Sequence, residues 1–551
     1  MYEDAFWFMA KALVSHCGSD GMDSVNRRRF LLAYQKPQSP TKLYREITTL
    51  GPHRSRIIPD EASASVKPTT TNDLVLPTVR RVGPLAFPSF SRQTLALMRD
   101  SNARVQELRV GLGHIRPEKT LRHVGIFTPF DRVQAYRKTM CCADNMENSP
   151  TAIVSFSNER TRNIVIVGAS FAGYRVAQVI ARGLPPRSPY RVVVVEPNSH
   201  FQFTWVLPRF CVVKGHEHKA FIPYGGYMAG APEGSYRWVK DKVVDIDQAT
   251  VKLQDNGEAI PYEFLVVTTG SGVREGLPSR VNATDKLDGM KLLQRVQNRI
   301  EAAKTVVVVG GGAAGVEVAT DAKALYPAKH IVLIHSRAAV MHRFGQGLQK
   351  AARQGLERLG VELVLQDRVV NEDPASGAVT LQSGRTFTCD FFINCTGQRP
   401  LSEVLSNLSP NSISPTGHIK IKPTLQIAGD SLPNVYACGD VADTNTPNPN
   451  ARSAMRQATV VAENILLAVA GKTPSHIYEN LWADGVIKLT LGLDRSVTHL
   501  GDGTSEVLFG SKEKDEALMS AMCWWRLGAK PFEDEYMDTH KAEIEPGVSR
   551  A

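Results

Sequence analysis

Two short glycine turns carry the chemistry of this sequence. They are Gly168-Ala169-Ser170-Phe171-Ala172-Gly173 and Gly310-Gly311-Gly312-Ala313-Ala314-Gly315. Each follows a run of β-branched residues, Ile164–Val167 and Val306–Val309, and each opens a helix-like stretch. A strand that turns this way into a helix aims backbone N–H groups and a positive dipole end at an anion, such as a nucleotide diphosphate. The first glycine permits the tight turn and the last lets the helix pack close to the strand. The middle position, where the backbone must approach the phosphates, is Ser170 in the first turn and Gly312 in the second; serine is small enough to leave room. Glu196 closes the next strand, "YRVVVVEP", 23 residues after Gly173. A carboxylate there accepts hydrogen bonds from a ribose. The strand after the second turn ends Ile334-His335-Ser336-Arg337, with no acid at its tip. A phosphorylated ribose is therefore as admissible as a free one, and Arg337 reads either as its partner or as a solvated surface charge. Two phosphate cradles mean two dinucleotides, and the simplest reason to hold both is hydride transfer between a nicotinamide and a flavin.

Further strand ends frame these cradles. "YEFLVVTTGS" and "DFFINCTGQRP" are apolar strands ending in Thr269-Gly270 and Thr396-Gly397. Each suits a return of the chain between two domains. "NVYACGDVAD" sets Asp440 after Gly439 at a third strand end, where it would meet a ribityl chain or diphosphate. Repeated β–α–β units imply parallel sheets with right-handed crossovers. Short hairpin-like strands are expected over 236–267 and 361–393, a helix over "ARSAMRQATVVAENILLAVAG", and a strand in "VIKLTLGL". The fold class is thus α/β: two dinucleotide-binding domains, a small α+β C-terminal region and an N-terminal extension. The expected boundaries are 1–158 for the extension, 159–275 with 391–470 for the first cradle's domain, 276–390 for the second, and 471–551 for the C-terminal or interface region.

Charge locates the extension. The chain of 551 residues carries a net +10, yet residues 1–145 hold 22 Lys and Arg against 13 Asp and Glu, and the remainder 43 against 42. The near-neutral remainder gives no reason to expect a nucleic-acid partner. The N-terminal quarter is rich in Pro, Ser and Thr without sustained period, which points to a disordered extension. A targeting peptide, an unrecognised small domain or an early start codon are the other readings. Eight cysteines lie at no metal-ligand spacing, so free thiols in a reducing, cytoplasmic setting are expected, and no metal. No apolar run is long enough to span a bilayer. The stretch "ALMSAMCWWRLGAK" reads as a core or interface helix, with a membrane-surface helix as its alternative.

In this order, "GASFAG", "TTGS", "GGGAAGVE", "LIHSR", "CTG" and "VYACGDVADTNTP" resemble the two-dinucleotide-binding flavoproteins of the glutathione reductase fold. Within them the chain is most similar to the apoptosis-inducing-factor-like and ferroptosis-suppressor-like branch, and more distantly to type II NADH dehydrogenases. The resemblance covers about 160–510. It implies FAD in the first cradle, on Gly168, Ala169, Ser170, Phe171, Ala172, Gly173, Glu196, Arg209, the Val243 backbone, Thr269, Gly270, Gly439 and Asp440. It implies NADH or NADPH in the second, on Gly310, Gly312, Gly315, Glu317, Arg337 and Gly397. Glu317 would lie near both rings, as the candidate catalytic residue, and Arg280 falls where relatives often have a base. Members that reduce disulfides carry a cysteine pair after the first helix; here "HFQFTWVLPRFC" offers only Cys211. A quinone-like acceptor is the expectation, and peripheral membrane or mitochondrial placement an alternative to the cytoplasm. An aromatic metabolite, a redox protein or oxygen would fit the same cradles. The rival reading of another class is a redox-sensing flavoprotein that acts through a partner or nucleic acid.

Overall fold

A computed structural model describes residues 161–540, apart from 256, 274–275, 430 and 502–504. The expectations for the N-terminal extension, its targeting signal included, lie outside the described residues. β1 (Arg162–Val167), α1 (Phe171–Gly183) and β2 (Tyr190–Val195) form the first strand–turn–helix–strand unit. β3 (Thr305–Val309), α2 (Ala313–Leu325) and β4 (His330–His335) form the second.

Each unit sits at the centre of its own parallel sheet. The first has the order Val435–Ala437, Phe264–Val267, β1, β2, Tyr236–Val239. The second runs Glu362–Leu365, β4, β3, Phe391–Asn394. The plan is duplicated: in both, the strand that follows an antiparallel three-stranded meander returns beside the strand that carries the glycine turn. The meanders are 243–261 and 369–388. The segments expected as hairpins thus each begin with a strand that joins a parallel sheet instead. Central strands read as unbroken apolar runs because helices or meanders cover both faces; Ile164, Val165 and Ile166 are all buried.

Ser271–Gly272 pairs antiparallel with Arg399–Pro400, directly after the two Thr-Gly strand ends. The helix Ala451–Val469 is capped by Asn450, whose side chain accepts from the N–H groups of Arg452 and Ser453, and it packs along α1. A C-terminal antiparallel sheet, Ile487–Thr490, Arg495–Gly501 and Glu506–Lys512, lies against α2 and the helix Gln346–Leu359. In the helix Ser520–Arg526, Trp524 is fully buried and its indole N–H donates to the Lys219 carbonyl (2.9 Å), whereas Trp525 is exposed. The core-helix reading of this stretch fits Trp524.

The last glycine of the first turn is fixed by contact. A Cβ on Gly173 would lie 1.9 Å from the Gly168 carbonyl oxygen and 2.4 Å from Thr268 Oγ1. Gly173→Ala is therefore expected to cost about 2–3 kcal/mol, lowering the melting temperature by roughly 5–10 °C. Gly312→Ala makes the control, because a Cβ there meets nothing within 4 Å. Its melting curve should match the wild type within about 0.5 kcal/mol.

Candidate active site

Neither glycine-turn helix has a side-chain cap. Ser170 and Gly312 hold the N-cap positions of α1 and α2 in extended conformation, without a side-chain hydrogen bond to the first turn. The first-turn N–H groups therefore depend on something else to satisfy them. Gly312 opens onto empty space, and the absence of a side chain there leaves a cradle that a Cβ would begin to fill. These observations fit a diphosphate at each helix start.

Around the first cradle the expected residues converge. Glu196 is buried at the end of β2; its carboxylate accepts from the Ala169 N–H (2.6 Å) and from the N–H and side-chain amide of Asn198 (2.9 and 2.6 Å). Burial raises its pKa, opposed by those same donors. Gly439, at φ +78°, lies so close to the start of α1 that a Cβ would stand 3.2 Å from that of Ala172. Asp440 follows at the cradle's rim. Ser271 Oγ and Arg280 Nη2 both donate to its Oδ2, each at 3.3 Å. Arg280 also donates to the Ser271 carbonyl (3.1 Å). Burial pulls the Arg280 pKa down and Asp440 opposes the shift. The Val243 side chain belongs to the core under its meander, leaving only backbone for a ligand. Thr269 is half-buried and donates from Oγ1 to the Leu401 carbonyl (2.6 Å); Gly270, at φ +71°, accepts from the Leu401 N–H.

Two residues beside this cradle escaped the sequence reading. Thr268 donates from Oγ1 to the carbonyls of Val167 and Gly168 (2.8 and 2.9 Å), pinning the turn, and Ser271 joins Asp440 to Arg280. Both flank the Thr-Gly pair within the quoted "TTGS".

The resemblance implied Arg209 as an FAD contact. In the fold its guanidinium is buried against α2, where Nε donates to Asp321 Oδ2 (2.7 Å) and Nη2 to the Gly492 carbonyl (3.0 Å). It closes an ionic seam between the short helix Leu207–Phe210, α2 and the C-terminal sheet. Burial raises the Asp321 pKa and Arg209 opposes the shift. Arg209 Nη1 and Asp321 Oδ1 are buried with no partner in the protein.

Glu317 lies one helical turn before Asp321. Its Oε1 accepts from the N–H (3.0 Å) and hydroxyl (3.2 Å) of Thr490. Burial, first, and the Asp321 charge push its pKa up to about 8, against the pull of Thr490 and Arg209. At neutral pH it is therefore a protonated acid held by one oxygen, with the other left for a proton. Gly310 and Gly315 pack tightly: a Cβ on Gly315 would fall 1.9 Å from the Gly310 oxygen. Arg337 is exposed at the tip of β4, and Gly397, at φ +83°, borders open space.

A family model for pyridine nucleotide-disulphide oxidoreductases matches residues 162–462, which takes in both cradles, Glu317 and Asp440. The chain belongs to this family. Among its relatives in the family, Fe-regulated protein 8 of Mycosarcoma maydis is 33% identical over 402 residues, 69% of this chain and 98% of that protein. Ferroptosis suppressor protein 1 of Xenopus tropicalis is 30% identical, over 68% of this chain and 97% of its own. The sulfide:quinone oxidoreductase of Aquifex aeolicus shares the fold, with a TM-score of 0.54, 15% identity and coverage of 70% and 96%. The resemblance read from the motifs therefore holds: this is an oxidoreductase of the flavoprotein family with two dinucleotide folds. Among the described residues no helix is long and apolar enough to cross a membrane, and no group of His, Cys, Asp and Glu could hold a metal ion.

Proposed function

We propose that this chain is an FAD-dependent NAD(P)H oxidoreductase that passes electrons to a quinone-type acceptor. The observation that carries the reading is the pair of uncapped, anion-ready helix starts in one chain, the first rimmed by Asp440, Ser271 and Arg280 and the second open above Gly312. Residues 159–275 and 391–470 hold FAD, residues 276–390 hold the nicotinamide donor, and in the C-terminal region 471–551 the strand Ile487–Thr490 closes the seam beside Glu317 through Thr490. The setting is cytoplasmic, or peripheral on a membrane surface.

FAD would rest on Gly168–Gly173, with Glu196 on its ribose, the Val243 backbone at the adenine and Asp440 at the ribityl–diphosphate end. NAD(P)H would rest on Gly310, Gly312 and Gly315. When bound, FAD supplies a hydride acceptor for the nicotinamide and a donor to the second substrate. The chain itself supplies alignment, which turns an encounter into a positioned contact, and a dry seam. Glu317 holds a proton below about pH 8 and releases it above.

A thiol relay has no support. Cys211 is fully buried and burial holds its thiol well above the ordinary range, so the thiolate that such chemistry needs is suppressed. The quinone assignment rests on the motif resemblance, joined to this lack of a thiol route.

The test is anaerobic. The purified chain should be yellow, lose that colour with NADH or NADPH, and regain it with a soluble quinone. A folded, colourless protein that takes up no FAD overturns the reading, and recovery of colour with oxygen alone overturns the acceptor.

Glu317 gives a second check. Its folded pKa of about 8 stands above the ordinary 4.5, so the folded state keeps a proton that the unfolded state gives up. Stability should therefore fall as pH rises between those values. Glu317→Gln should remove that slope in melting temperature and flatten the inflection near pH 8 in the rate of colour loss. Unchanged slopes would show that the carboxyl titrates elsewhere.

A further inference from the structure

The two cradles differ in the group that reads the ribose. In the first, the Ala169 N–H donates to Glu196 Oε2 (2.6 Å). In the second, the Gly311 N–H donates to His335 Nδ1 (3.0 Å). Strand register makes these equivalent places: Val167 lies opposite Val195, just before Gly168 and Glu196, as Val309 lies opposite Ile334, just before Gly310 and His335. An imidazole therefore stands where the first cradle has its carboxylate, packed so tightly on the turn that a Cβ on Gly311 would lie 2.7 Å from the His335 ring.

The hydrogen bonds assign the tautomers. Because Nδ1 of His335 accepts, the neutral ring carries its proton on Nε2, which faces Nδ1 of His342 at 3.3 Å. His342 then carries its own proton on Nε2, on an exposed ring. The corner ends in donors. A free 2′-hydroxyl loses the carboxylate that would select it, whereas a 2′-phosphate meets N–H groups it can accept from.

The surrounding charges favour the same ligand. Arg337 lies on the strand tip, and His342 and Arg343 on the loop that follows. Across a cleft of about 450 Å³ stand Asp367, Arg368 and Glu372. The Asp367 carboxylate is taken up by the Ser383 hydroxyl (2.5 Å) and by the N–H groups of Arg368 and Ser383. Burial first, then His342 and Arg337, keep the His335 pKa low; burial, Arg343 and Arg337 do so for His342. A phosphate dianion counters the cationic part of that penalty, so its binding and imidazole protonation reinforce each other.

We propose that His335 and His342, with Arg337, receive the adenosine 2′-phosphate, so that this chain takes NADPH and favours it more strongly as pH falls. The proposal rests on the second cradle holding the nicotinamide donor.

The test is calorimetric titration of the yellow protein with NADP⁺ and NAD⁺ at pH 8 and pH 6.5, where the phosphate stays mostly the dianion because it takes up a proton with a pKa of about 6. NADP⁺ is expected to tighten about tenfold at the lower pH, the equivalent of one added ionic contact, while NAD⁺ stays within about twofold. His335→Asp should reverse the preference by about tenfold or more. His342→Gln should flatten the pH dependence of the NADP⁺ to NAD⁺ ratio. Arg337→Ala, on an exposed side chain that threatens no packing, should weaken NADP⁺ alone by about tenfold and decides the matter if His335→Asp does not fold. The ratio of colour-loss rates with NADPH and NADH should move in parallel. Tight NAD⁺ with weak, pH-independent NADP⁺ overturns this inference and leaves the donor assignment standing. A yellow protein that binds neither nucleotide overturns both.

Discussion

Gly312→Val is expected to give a protein that stays yellow and folded but no longer loses its colour with NADH or NADPH. Gly312 is the N-cap of α2 at φ −80°, a conformation open to any residue, and a Cβ there touches nothing within 4 Å. The fold therefore tolerates the side chain, and the whole cost falls on whatever occupies the space in front of the helix. Valine would place its methyl groups where a diphosphate must approach the first-turn N–H groups. Overpacking of this kind costs about 3 kcal/mol, which is a fall of roughly 100-fold or more in kcat/KM for the donor. Stopped-flow colour loss measures it, and the melting temperature supplies the fold control. A mutant that bleaches normally would remove the nicotinamide from the second cradle. A mutant that loses its yellow colour would show that the two cofactors had been assigned the wrong way round.

Asp440→Ala should release FAD. Asp440 is half-buried at the rim of the first cradle, and its Oδ2 is shared by Ser271 and Arg280. Removing it strips a charged acceptor from the ligand's polar end. It also leaves the Arg280 guanidinium, whose pKa burial already lowers, without its counter-charge. Losing a hydrogen bond to a charged group costs about 1.5–3 kcal/mol, so FAD affinity should fall by about 10- to 100-fold. The readout is the ratio of yellow to protein absorbance after gel filtration, with and without added FAD. Asp440→Asn, which keeps the shape and loses the charge, should fall between the two. Full retention of colour in Asp440→Ala would take this residue out of the site.

Both mutations act on residues whose importance shows in short stretches of sequence. A β-branched run, a glycine turn and a helix start are local features, governed by backbone sterics and periodicity over a dozen residues. So are the Thr-Gly strand ends and the helix Ala451–Val469, with its Asn450 cap. Glu196 was visible because its distance from the glycine turn reflects one crossover. The duplicated sheet order follows from the same repeated unit and the handedness of its crossover. The edge strands Tyr236–Val239 and Glu362–Leu365 were misjudged as hairpin material, because a short apolar run does not reveal whether its partner is parallel or antiparallel.

Partnerships across the chain are a different matter. Arg209 meets Asp321 at a separation of 112 residues, Arg280 meets Asp440 at 160, and Thr490 meets Glu317 at 173. No spacing rule encodes these pairs. Each arises only when elements from different parts of the chain pack face to face and exclude water, and desolvation then makes each charge depend on its neighbour. That is why the residue types and the two phosphate cradles could be read from the linear chain. Folding alone assigned Arg209 to an ion pair, gave Glu317 its proton at neutral pH and set His335 against the Gly311 N–H: long-range packing sets burial, and burial sets protonation.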